Sequence, residues 1–360
     1  MLRIPDDRPS SMVAVHPGYP HLETAPSTAV WSALKTCLVT GAAGFIGSHL
    51  VEDLVRTGLN VRALVRYTSS GFRGMLDRLD RQVLDSVEVI YGDIRDSGQM
   101  DAVTRGCDTV YHLAALIGIP YSYSAPRSYV EVNVSGTQNL LDAVRRHASG
   151  KVVMASTSEV YGSAMYTPID EAHPLHPQSP YAASKVAADQ LGLSYQRSFG
   201  TPVALVRPFN TFGPRQSYRA VIPTIIGQAL SRDDGRIELG ALSPKRDFVY
   251  VADTARGFRL AADSDAAVGQ VVNLASGQSI SVGDLAARVL DLTDNPDFRV
   301  ESKQERVRPP DSEVDELLGD AARAEELLGW KPEVTLDDGL RMAIEDFQQH
   351  EMHDPGRYRE

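Results

Sequence analysis

The chain has few cysteines, no long apolar run and fewer basic than acidic residues. Only two of its 360 residues are cysteine, Cys37 and Cys107, and each stands beside an apolar run typical of a buried strand. So low a cysteine content excludes a disulfide-stabilised scaffold and favours a reducing, cytoplasmic setting. No apolar stretch reaches the length of a transmembrane helix, so we expect no membrane association. No spaced cluster of histidine, cysteine and aspartate predicts a metal site.

The charge balance is acidic. There are 36 lysines and arginines against 47 aspartates and glutamates, a formal net charge of -11. Such a surface argues against nucleic acid or an anionic membrane as a partner. A small anionic substrate is still compatible, because a few arginines suffice for a local positive pocket. With 42% hydrophobic and 23% charged residues, the composition is that of a globular protein.

Between Lys35 and Phe209, short β-branched runs alternate with segments of helical periodicity. This is the pattern of a parallel sheet covered by helices on both faces. We therefore predict an α/β fold with a doubly wound, Rossmann-type sheet. The predicted strands are 36–40, 60–66, 87–91, 109–113, 151–155 and 203–207, and the main predicted helices are 45–57, 129–147 and 180–199.

The pattern loosens after residue 209, which predicts a smaller C-terminal substrate lobe. Residues 34–209 form the predicted Rossmann domain, and residues 210–348 form most of the second lobe. Segments 246–251 and 271–274 are predicted to return as strands to the main sheet, so that the lobes are interleaved. Residues 1–33 lack the apolar segment of a secretory signal and predict a disordered leader, and residues 349–360 predict a frayed tail.

A glycine-rich turn follows the first predicted strand and opens an amphipathic helix. Its sequence is Gly41-Ala42-Ala43-Gly44-Phe45-Ile46-Gly47. Glycines at this spacing allow a tight turn, a close backbone approach to a pyrophosphate and close packing of helix on strand. The context predicts that Gly41, Gly44, Phe45, Ile46 and Gly47 bind a dinucleotide, rather than forming a purely structural turn.

The second predicted strand ends with Arg66, where an acidic residue would hold the ribose 2′-hydroxyl of NAD. An arginine pairs with the 2′-phosphate of NADP, stacks on adenine or is simply an exposed charge, and these interpretations stay open. Other residues expected along the dinucleotide are Asp93 and Ile94, after the third strand, and Leu113, Ala114 and Ala115, after the fourth.

Four side chains predict acid/base chemistry. Tyr181 and Lys185 lie four positions apart on a predicted helix, so they share one face. At that spacing we expect the ammonium to lower the pKa of the phenol and make it a base near neutral pH. Thr157 is placed to donate a hydrogen bond to the same substrate oxygen. Glu159 adds an acid/base group that simple hydride transfer does not require, with the capping of a turn as its alternative role.

The glycine turn and the pair Tyr181 and Lys185 together resemble the extended short-chain dehydrogenase/reductase superfamily, in particular its nucleotide-sugar-modifying members. The resemblance covers roughly residues 35–347 and is carried further by segments 112–115, 133–137, 207–210, 213–215 and 246–248. Within the superfamily, the chain is similar to NAD-dependent 4,6-dehydratases of the legionaminic-acid pathway type. Segments 114–123, 156–162, 178–181, 219–224, 308–309 and 312–314 carry that closer similarity.

This resemblance implies NAD as the cofactor, whereas Arg66 leaves NADP open. It implies that Tyr181 removes the proton of the sugar 4-hydroxyl, that Lys185 holds the ribose and keeps the phenol acidic, and that Thr157 polarises the C4 oxygen. Glu159 would take the C5 proton and assist loss of the C6 hydroxyl as water, which yields a 4-keto-6-deoxy sugar. Ser158 stands where some sugar dehydratases have an aspartic acid, so the leaving-group acid would be Glu159 alone, as in the GDP-mannose type.

The resemblance also implies how a nucleotide-diphosphate sugar is held. Arg246 and Arg308 would pair with the diphosphate, because a planar guanidinium binds phosphate in a bidentate manner, and Asn210 would hydrogen-bond the substrate. Helices 129–147 and 180–199 would form the four-helix interface of a homodimer.

Other functions stay open at this stage. UDP-glucuronate decarboxylases share the Thr-Ser-Glu run and need a pocket cation for the C6 carboxylate. C4 epimerases of the superfamily usually have a small residue in place of Glu159. A non-catalytic, dinucleotide-sensing protein is disfavoured by the intact Tyr181 and Lys185. His112, inside an apolar strand, predicts a packed core histidine rather than a metal ligand.

Overall fold

The computed structural model describes residues 35–147, 149–232, 234–306, 309 and 312–350. The predicted leader, residues 1–33, lies outside the described residues, as do residues 351–360 of the predicted tail. The strands are β1 Thr36–Thr40, β2 Asn60–Val65, β3 Val87–Tyr91, β4 Thr109–His112, β5 Lys151–Ala155, β6 Val203–Pro208, β7 Asn210–Phe212, β8 Arg236–Leu239, β9 Lys245–Tyr250, β10 Val271–Leu274, β11 Ser279–Ser281, β12 Arg299–Ser302 and β13 Glu316–Leu317.

The helices cover both faces of the main sheet and build most of the second lobe. They are α1 Phe45–Arg56, α2 Arg81–Asp85, α3 Ser97–Thr104, α4 Ile119–Ser124, α5 Pro126–Tyr129, α6 Gly136–His147, α7 Pro180–Phe199, α8 Val221–Ser231, α9 Val251–Asp263, α10 Val282–Leu292, α11 Ala322–Leu328 and α12 Leu336–Gln349. No helix among the described residues is long and apolar enough to cross a membrane.

The central sheet confirms the predicted doubly wound architecture. In the described part of the chain it has seven parallel strands in the order β10-β6-β5-β4-β1-β2-β3. The order reverses between β1 and β4, and ligands of such sheets bind outside the carboxyl ends of the strands at this switch point. The glycine turn after β1 and the Thr157–Glu159 region after β5 therefore lie at the same edge of the sheet.

Alternate side chains of each central strand enter different cores. In β5, Val153 packs in the cluster on one face and Val152 in the cluster on the other. The neighbouring strand β6 does the same: Ala204, which pairs with Val153, packs in the first cluster, and Val203, which pairs with Val152, packs in the second. Both faces are thus buried, which explains why these strands are mainly apolar.

The C-terminal lobe has a sheet of its own. We expected segments 246–251 and 271–274 to return to the main sheet, and β10 does pair with β6. Strand β9 instead pairs with β7, β11 and β13, so the first of these two expectations is wrong. The reason is topological: the edge next to β6 is already occupied by β10, and β9 finds its partners in short strands that the sequence pattern did not reveal.

The predicted helix 129–147 is divided. Residues Val130–Ser135 form a π-helical segment between α5 and α6. Asn133 in this segment is buried and bonds both backbone groups of Leu116, at 2.8 Å to the N–H and 3.0 Å to the carbonyl. This tertiary contact accompanies the wider turn, and local periodicity carries no trace of it.

Charged side chains connect the C-terminal lobe to α1. Arg215 has a left-handed backbone, with φ of 66°, and its Nη2 lies 2.6 Å from Glu52 Oε2. His49 accepts a hydrogen bond from the same guanidinium. Burial, with the charge of Arg215, lowers the pKa of His49 to about 3, so the imidazole is neutral.

We expect Gly47→Ala to destabilise the protein. A Cβ at position 47 would lie 2.2 Å from the Gly41 carbonyl oxygen, a backbone atom that cannot move aside cheaply. Overpacking of this kind costs about 1–3 kcal/mol. The matched control is Gly283→Ala, also in the first turn of a helix, where a Cβ meets nothing closer than 3.6 Å. The free energy of unfolding in urea should fall for Gly47→Ala, and for Gly283→Ala it should stay the same or rise. An equal fall in both variants would contradict the packing argument.

Candidate active site

The end of β5 leads into a short 3-10 turn, Ser158–Val160. Thr157 caps this turn, because its hydroxyl accepts a hydrogen bond from the Glu159 N–H at 3.2 Å. The cap is thus the threonine and not the Glu159 carboxylate. Ser158 is 1% exposed, and Glu159 is half-buried. A single carboxylate therefore stands on this turn.

Helix α7 begins with local signals that fix its first residues. The Ser179 hydroxyl accepts a hydrogen bond from the Ala182 N–H at 3.1 Å, and Pro180 occupies the first turn, where its missing N–H has no cost. Tyr181 and Lys185 follow on the buried face, each 7% exposed. The Lys185 Nζ donates a hydrogen bond of 2.6 Å to the Ala155 carbonyl at the end of β5.

The phenol of Tyr181 lies in an apolar pocket. Ile119, Tyr129 and the partly buried Leu116 surround it, and the ring of Tyr129 meets the Tyr181 ring edge to face at 6.2 Å. Burial raises the pKa of Tyr181 above its ordinary value, and the charge of Glu159 raises it further. A hydrogen bond with the Thr157 hydroxyl lowers it in part. From the sequence we expected the charge of Lys185 to lower the pKa of Tyr181 towards neutral pH. Desolvation is instead the largest effect, and it favours the uncharged phenol.

Lys185 is subject to opposing effects. Its burial lowers the pKa of the ammonium, and the charge of Asp189, one helical turn further on, raises it. The ammonium donates a hydrogen bond to the Ala155 carbonyl, and this bond offsets part of the cost of burying its charge. Asp189 was not among the site residues expected from the sequence. The spacing of four between positions 181, 185 and 189 was the available signal.

The glycine turn fits a dinucleotide. Gly41 has φ of 71°, and a Cβ there would lie 2.7 Å from the backbone N of Ala114. Gly44 precedes α1 without any side-chain cap, so the first N–H groups of the helix are not covered by a side chain. The turn is therefore tight, packed against β4 and open to an anion at the helix end, as a pyrophosphate requires. Phe45 and Ile46, also expected here, are partly buried against the cores.

The residues expected near the adenine differ in their exposure and in their contacts. Arg66 is exposed directly after β2. The Asp93 carboxylate pairs with Arg95 at 2.6 Å, and this hydrogen bond lowers the pKa of Asp93. Ile94 is 5% exposed and packs where a Cβ on Gly136 would touch it, which indicates a core role.

The segment after β4 is connected to α7 by hydrogen bonds. Leu113, Ala114 and Ala115 are half-buried beside the glycine turn. Asn133, to which sequence reasoning gave no role, connects this region to α7, because its Nδ2 lies 2.9 Å from the Ser184 hydroxyl. It also holds the backbone of Leu116, the next residue of the same segment.

His112 is a buried core residue, as predicted. Its ring nitrogens lie 2.9 Å from the hydroxyls of Thr40 and Thr137. Thr137 donates its hydrogen to the Asn133 carbonyl, so His112 Nε2 must be the donor to Thr137. Burial lowers the pKa of His112 to about 3, in agreement with a neutral ring. Among the described residues, no group of histidine, cysteine and acidic side chains has a metal-binding arrangement.

Two of the residues expected to hold the substrate, Asn210 and Arg246, lie on the second lobe. Asn210 begins β7 and pairs in register with Phe248 of β9. Arg246 in β9 is 8% exposed, and its Nη2 lies 3.2 Å from Glu313 Oε1. Arg308 lies outside the described residues. Glu313, the partner of Arg246, was not among the predicted site residues.

Comparison with known proteins identifies the family of this chain. The model of the family described as GDP-mannose 4,6 dehydratase matches residues 38–343. A dTDP-glucose 4,6-dehydratase of an Actinoplanes species is 34% identical over 315 residues, which cover 85% of this chain and 96% of the relative. A putative UDP-glucose 4-epimerase of Methanocaldococcus jannaschii is 32% identical with the same coverages, and a UDP-N-acetyl-alpha-D-glucosaminuronate decarboxylase of Bacillus cytotoxicus is 31% identical over 88% of this chain and 99% of its own.

Solved structures give the same result. DesIV, a dTDP-glucose 4,6-dehydratase of Streptomyces venezuelae solved with NAD and TYD bound, is 31% identical and superposes with a TM-score of 0.77 over 87% of this chain and 97% of its own. TunA, an NAD-dependent NDP-hexosamine 5,6-dehydratase of tunicamycin biosynthesis, is 31% identical with a TM-score of 0.76 over 88% of this chain and 99% of its own. Dehydratases, epimerases and decarboxylases are thus similarly close.

We expect Thr157→Val to raise the pKa of Tyr181, because the variant keeps the shape of the side chain but loses the hydroxyl that lowers this pKa. A hydrogen bond of about 1 kcal/mol corresponds to a rise of about one pH unit. Thr157→Ser, which keeps the hydroxyl, is the control. A multiply fluorinated tyrosine at position 181 brings the titration into an accessible range, and fluorine NMR follows it. Identical titrations in the two variants would show that the hydroxyl does not act on the phenol.

Proposed function

Since this chain belongs to the GDP-mannose 4,6-dehydratase family, we propose that it is a nucleotide-sugar 4,6-dehydratase with bound NAD. The observation that carries the proposal is the half-buried carboxylate of Glu159, which stands on the turn after β5 that packs against the helix of Tyr181. Oxidation at C4 needs only a base and a hydride acceptor. Removal of the C5 proton needs a further base, and Glu159 is available for it.

The cofactor proposal rests on the glycine turn. Gly41 and Gly47 allow the tight turn, because a Cβ at either position would meet backbone atoms, and the start of α1 after Gly44 has no side-chain cap and is open to a pyrophosphate. The proposed ribose ligand is Lys185. Bound NAD would supply the hydride acceptor for oxidation at C4 and the hydride for reduction at C6. The exposed guanidinium of Arg66 is compatible with NAD if it stacks on the adenine ring rather than pairing with a phosphate.

In the first step, Tyr181 acts in its phenolate form and removes the proton of the 4-hydroxyl as the C4–H bond breaks. Thr157, whose hydroxyl lowers the pKa of this phenol, stabilises its charged form and polarises the C4 oxygen. The ammonium of Lys185 supplies a positive charge in a site of low dielectric, and this charge also favours phenolate. The apolar wall formed by Ile119 and Tyr129 excludes water.

In the second step, Glu159 removes the proton from C5, which the new C4 ketone has made acidic. The C6 hydroxyl leaves with a proton as water, so that one C–H and one C–O bond break and a C5–C6 double bond forms. Ser158 is not an acid and is buried, so Glu159 is the proposed proton donor as well. C5 regains a proton in the last step, and a 4-keto-6-deoxy sugar is the product.

The proposed diphosphate ligands are Arg246 and Arg308, with Asn210 as a hydrogen-bond partner. Arg246 is held in β9 and already pairs with Glu313, which keeps the guanidinium in a fixed orientation. The chemistry of such a pocket favours a nucleoside diphosphate linked to a hexose.

The direct test is incubation of the purified protein with UDP-GlcNAc, GDP-GlcNAc, dTDP-glucose and UDP-glucuronate, followed by mass spectrometry of the products. We expect the loss of one water molecule from at least one of the hexoses. Loss of carbon dioxide from UDP-glucuronate would establish a decarboxylase instead, and a changed C4 configuration at unchanged mass an epimerase.

We expect Glu159→Gln to bind nucleotide sugar and oxidise C4, yet to lose water elimination by about 100-fold or more, because the amide cannot take a proton. Tyr181→Phe should abolish the oxidation itself. Cofactor reduction, followed by absorbance, separates the two steps, and Glu88→Gln, with an exposed carboxylate on β3, is the control. Unchanged dehydration by Glu159→Gln would refute this role.

The proposed assembly is a homodimer formed through the helical segments 129–147 and 180–199. Val130 and Phe199, each 53% exposed, lie at the start and end of this helical surface. Sedimentation should give the mass of two chains, and a monomer mass would contradict the proposal. The proposed setting is the cytoplasm, in keeping with Cys37 and Cys107, which are free and buried.

A further inference from the structure

The turn that carries Thr157 and Glu159 is flanked by two residues that point into a buried polar cluster. Ser156 stands before the turn, and its hydroxyl donates a hydrogen bond of 2.6 Å to Asp189 Oδ2. Asp189 is 1% exposed and lies on α7. The entry to the turn is therefore attached to the same helix that carries Tyr181.

The exit of the turn is attached to Arg207, the ion-pair partner of Asp189. Arg207 in β6 lies 3.0 Å from Asp189 Oδ2 and is 2% exposed. Its Nη1 donates a hydrogen bond of 3.0 Å to the hydroxyl of Tyr161, the residue directly after the turn. The guanidinium carbon also lies 5.0 Å from the centre of the Tyr161 ring, within the range of a cation–π contact.

We propose that the ion pair of Asp189 and Arg207 positions the catalytic turn by holding Ser156 at its entry and Tyr161 at its exit. Both acid/base groups of the turn, Thr157 and Glu159, lie between these two attachments. The ion pair thereby sets their position relative to Tyr181, which stands two helical turns before Asp189. The catalytic consequence rests on the proposed function; the positioning itself does not.

Stability of the fold alone does not explain why Asp189 and Arg207 are charged. Two opposite charges buried together recover their desolvation only in part, and apolar residues of similar volume are often as stable. Apolar residues, however, cannot accept from Ser156 or donate to Tyr161. The charged pair therefore contributes geometry that an apolar core would lack.

The hydrogen bonds of the cluster have defined directions. Tyr161 accepts from Arg207 and donates to Asn273 Oδ1 at 2.8 Å, so its hydroxyl is satisfied on both sides. The Asn273 amide in turn donates to the Ile169 carbonyl. A side chain held by a donor, an acceptor and a ring contact has little rotational freedom, which suits it to fix the end of a turn.

Loss of one attachment should affect the two chemical steps differently. Tyr181 and Lys185 belong to α7 and keep their places, since Lys185 still bonds to Ala155. Thr157 and Glu159 belong to the turn and gain freedom. Elimination, which needs Glu159, should therefore slow more than oxidation, which depends mainly on the helix.

The test uses two variants that keep the ion pair. Ser156→Ala removes the entry bond and Tyr161→Phe the exit bond. Matched controls lose equivalent bonds outside the turn: Ser149→Ala, whose hydroxyl bonds the Thr104 carbonyl before β5 begins, and Tyr195→Phe, whose hydroxyl bonds Asp142 further along α7. Asp189→Asn is avoided, because it leaves the charge of Arg207 buried without a counter-ion.

Hydrogen exchange gives a result independent of any reaction. The amides of residues 157–161 should exchange about tenfold faster in Ser156→Ala and Tyr161→Phe, and at the wild-type rate in both controls. Kinetically, kcat for water release should fall about tenfold with KM within twofold, and reduced cofactor should accumulate. Exchange and kcat no different from the controls would overturn the proposal. If the wild-type protein dehydrates no nucleotide sugar, the proposed function fails, and the exchange result still decides the positioning claim.

Discussion

The site depends on one constraint: helix α7 must keep a fixed position against the end of β5. Lys185 provides it, since its buried ammonium donates to the Ala155 carbonyl at 2.6 Å. Rotation or sliding of the helix would leave that charge without a partner in an apolar interior, which is costly. The same helix carries Tyr181 one turn earlier and Asp189 one turn later. The proposed redox residues and the proposed support of the turn Ser158–Val160 are therefore positioned together.

Burial also changes the pKa values of Tyr181 and Lys185. An apolar wall raises the pKa of Tyr181 and lowers that of Lys185, so each group is pushed towards its neutral form. The Thr157 hydrogen bond and the Asp189 charge act in the opposite direction. Glu159 lies on the turn rather than on the helix, and its charge raises the pKa of Tyr181 further. In the proposed function, Glu159 is the group that adds elimination to oxidation and hydride return at C4.

Much of this arrangement follows from local sequence patterns, and the remainder requires tertiary contacts. The bounds of β1, β3, β5, β10 and α7 agree with the expectation, because apolar runs, Ser179 and Pro180 are local signals. The π segment around Asn133 and the pairing of β9 in a second sheet were not predictable in this way, since they depend on Leu116 and on short distant strands. The raised pKa of Tyr181 was missed for a related reason: spacing shows that Lys185 is near, but not that Ile119 and Tyr129 desolvate the phenol. Sequence placed Arg207 in a motif; only the fold shows it paired with Asp189.

The most direct measurement uses nucleotide sugars that carry deuterium at C4, among them hexoses and UDP-glucuronate, and locates the label in the product by NMR. If the protein is a 4,6-dehydratase, the deuterium moves from C4 to the C6 methyl group of a 4-keto product that has lost one water molecule. Deuterium found again at C4, in a product of unchanged mass or one that has lost carbon dioxide, would contradict this account.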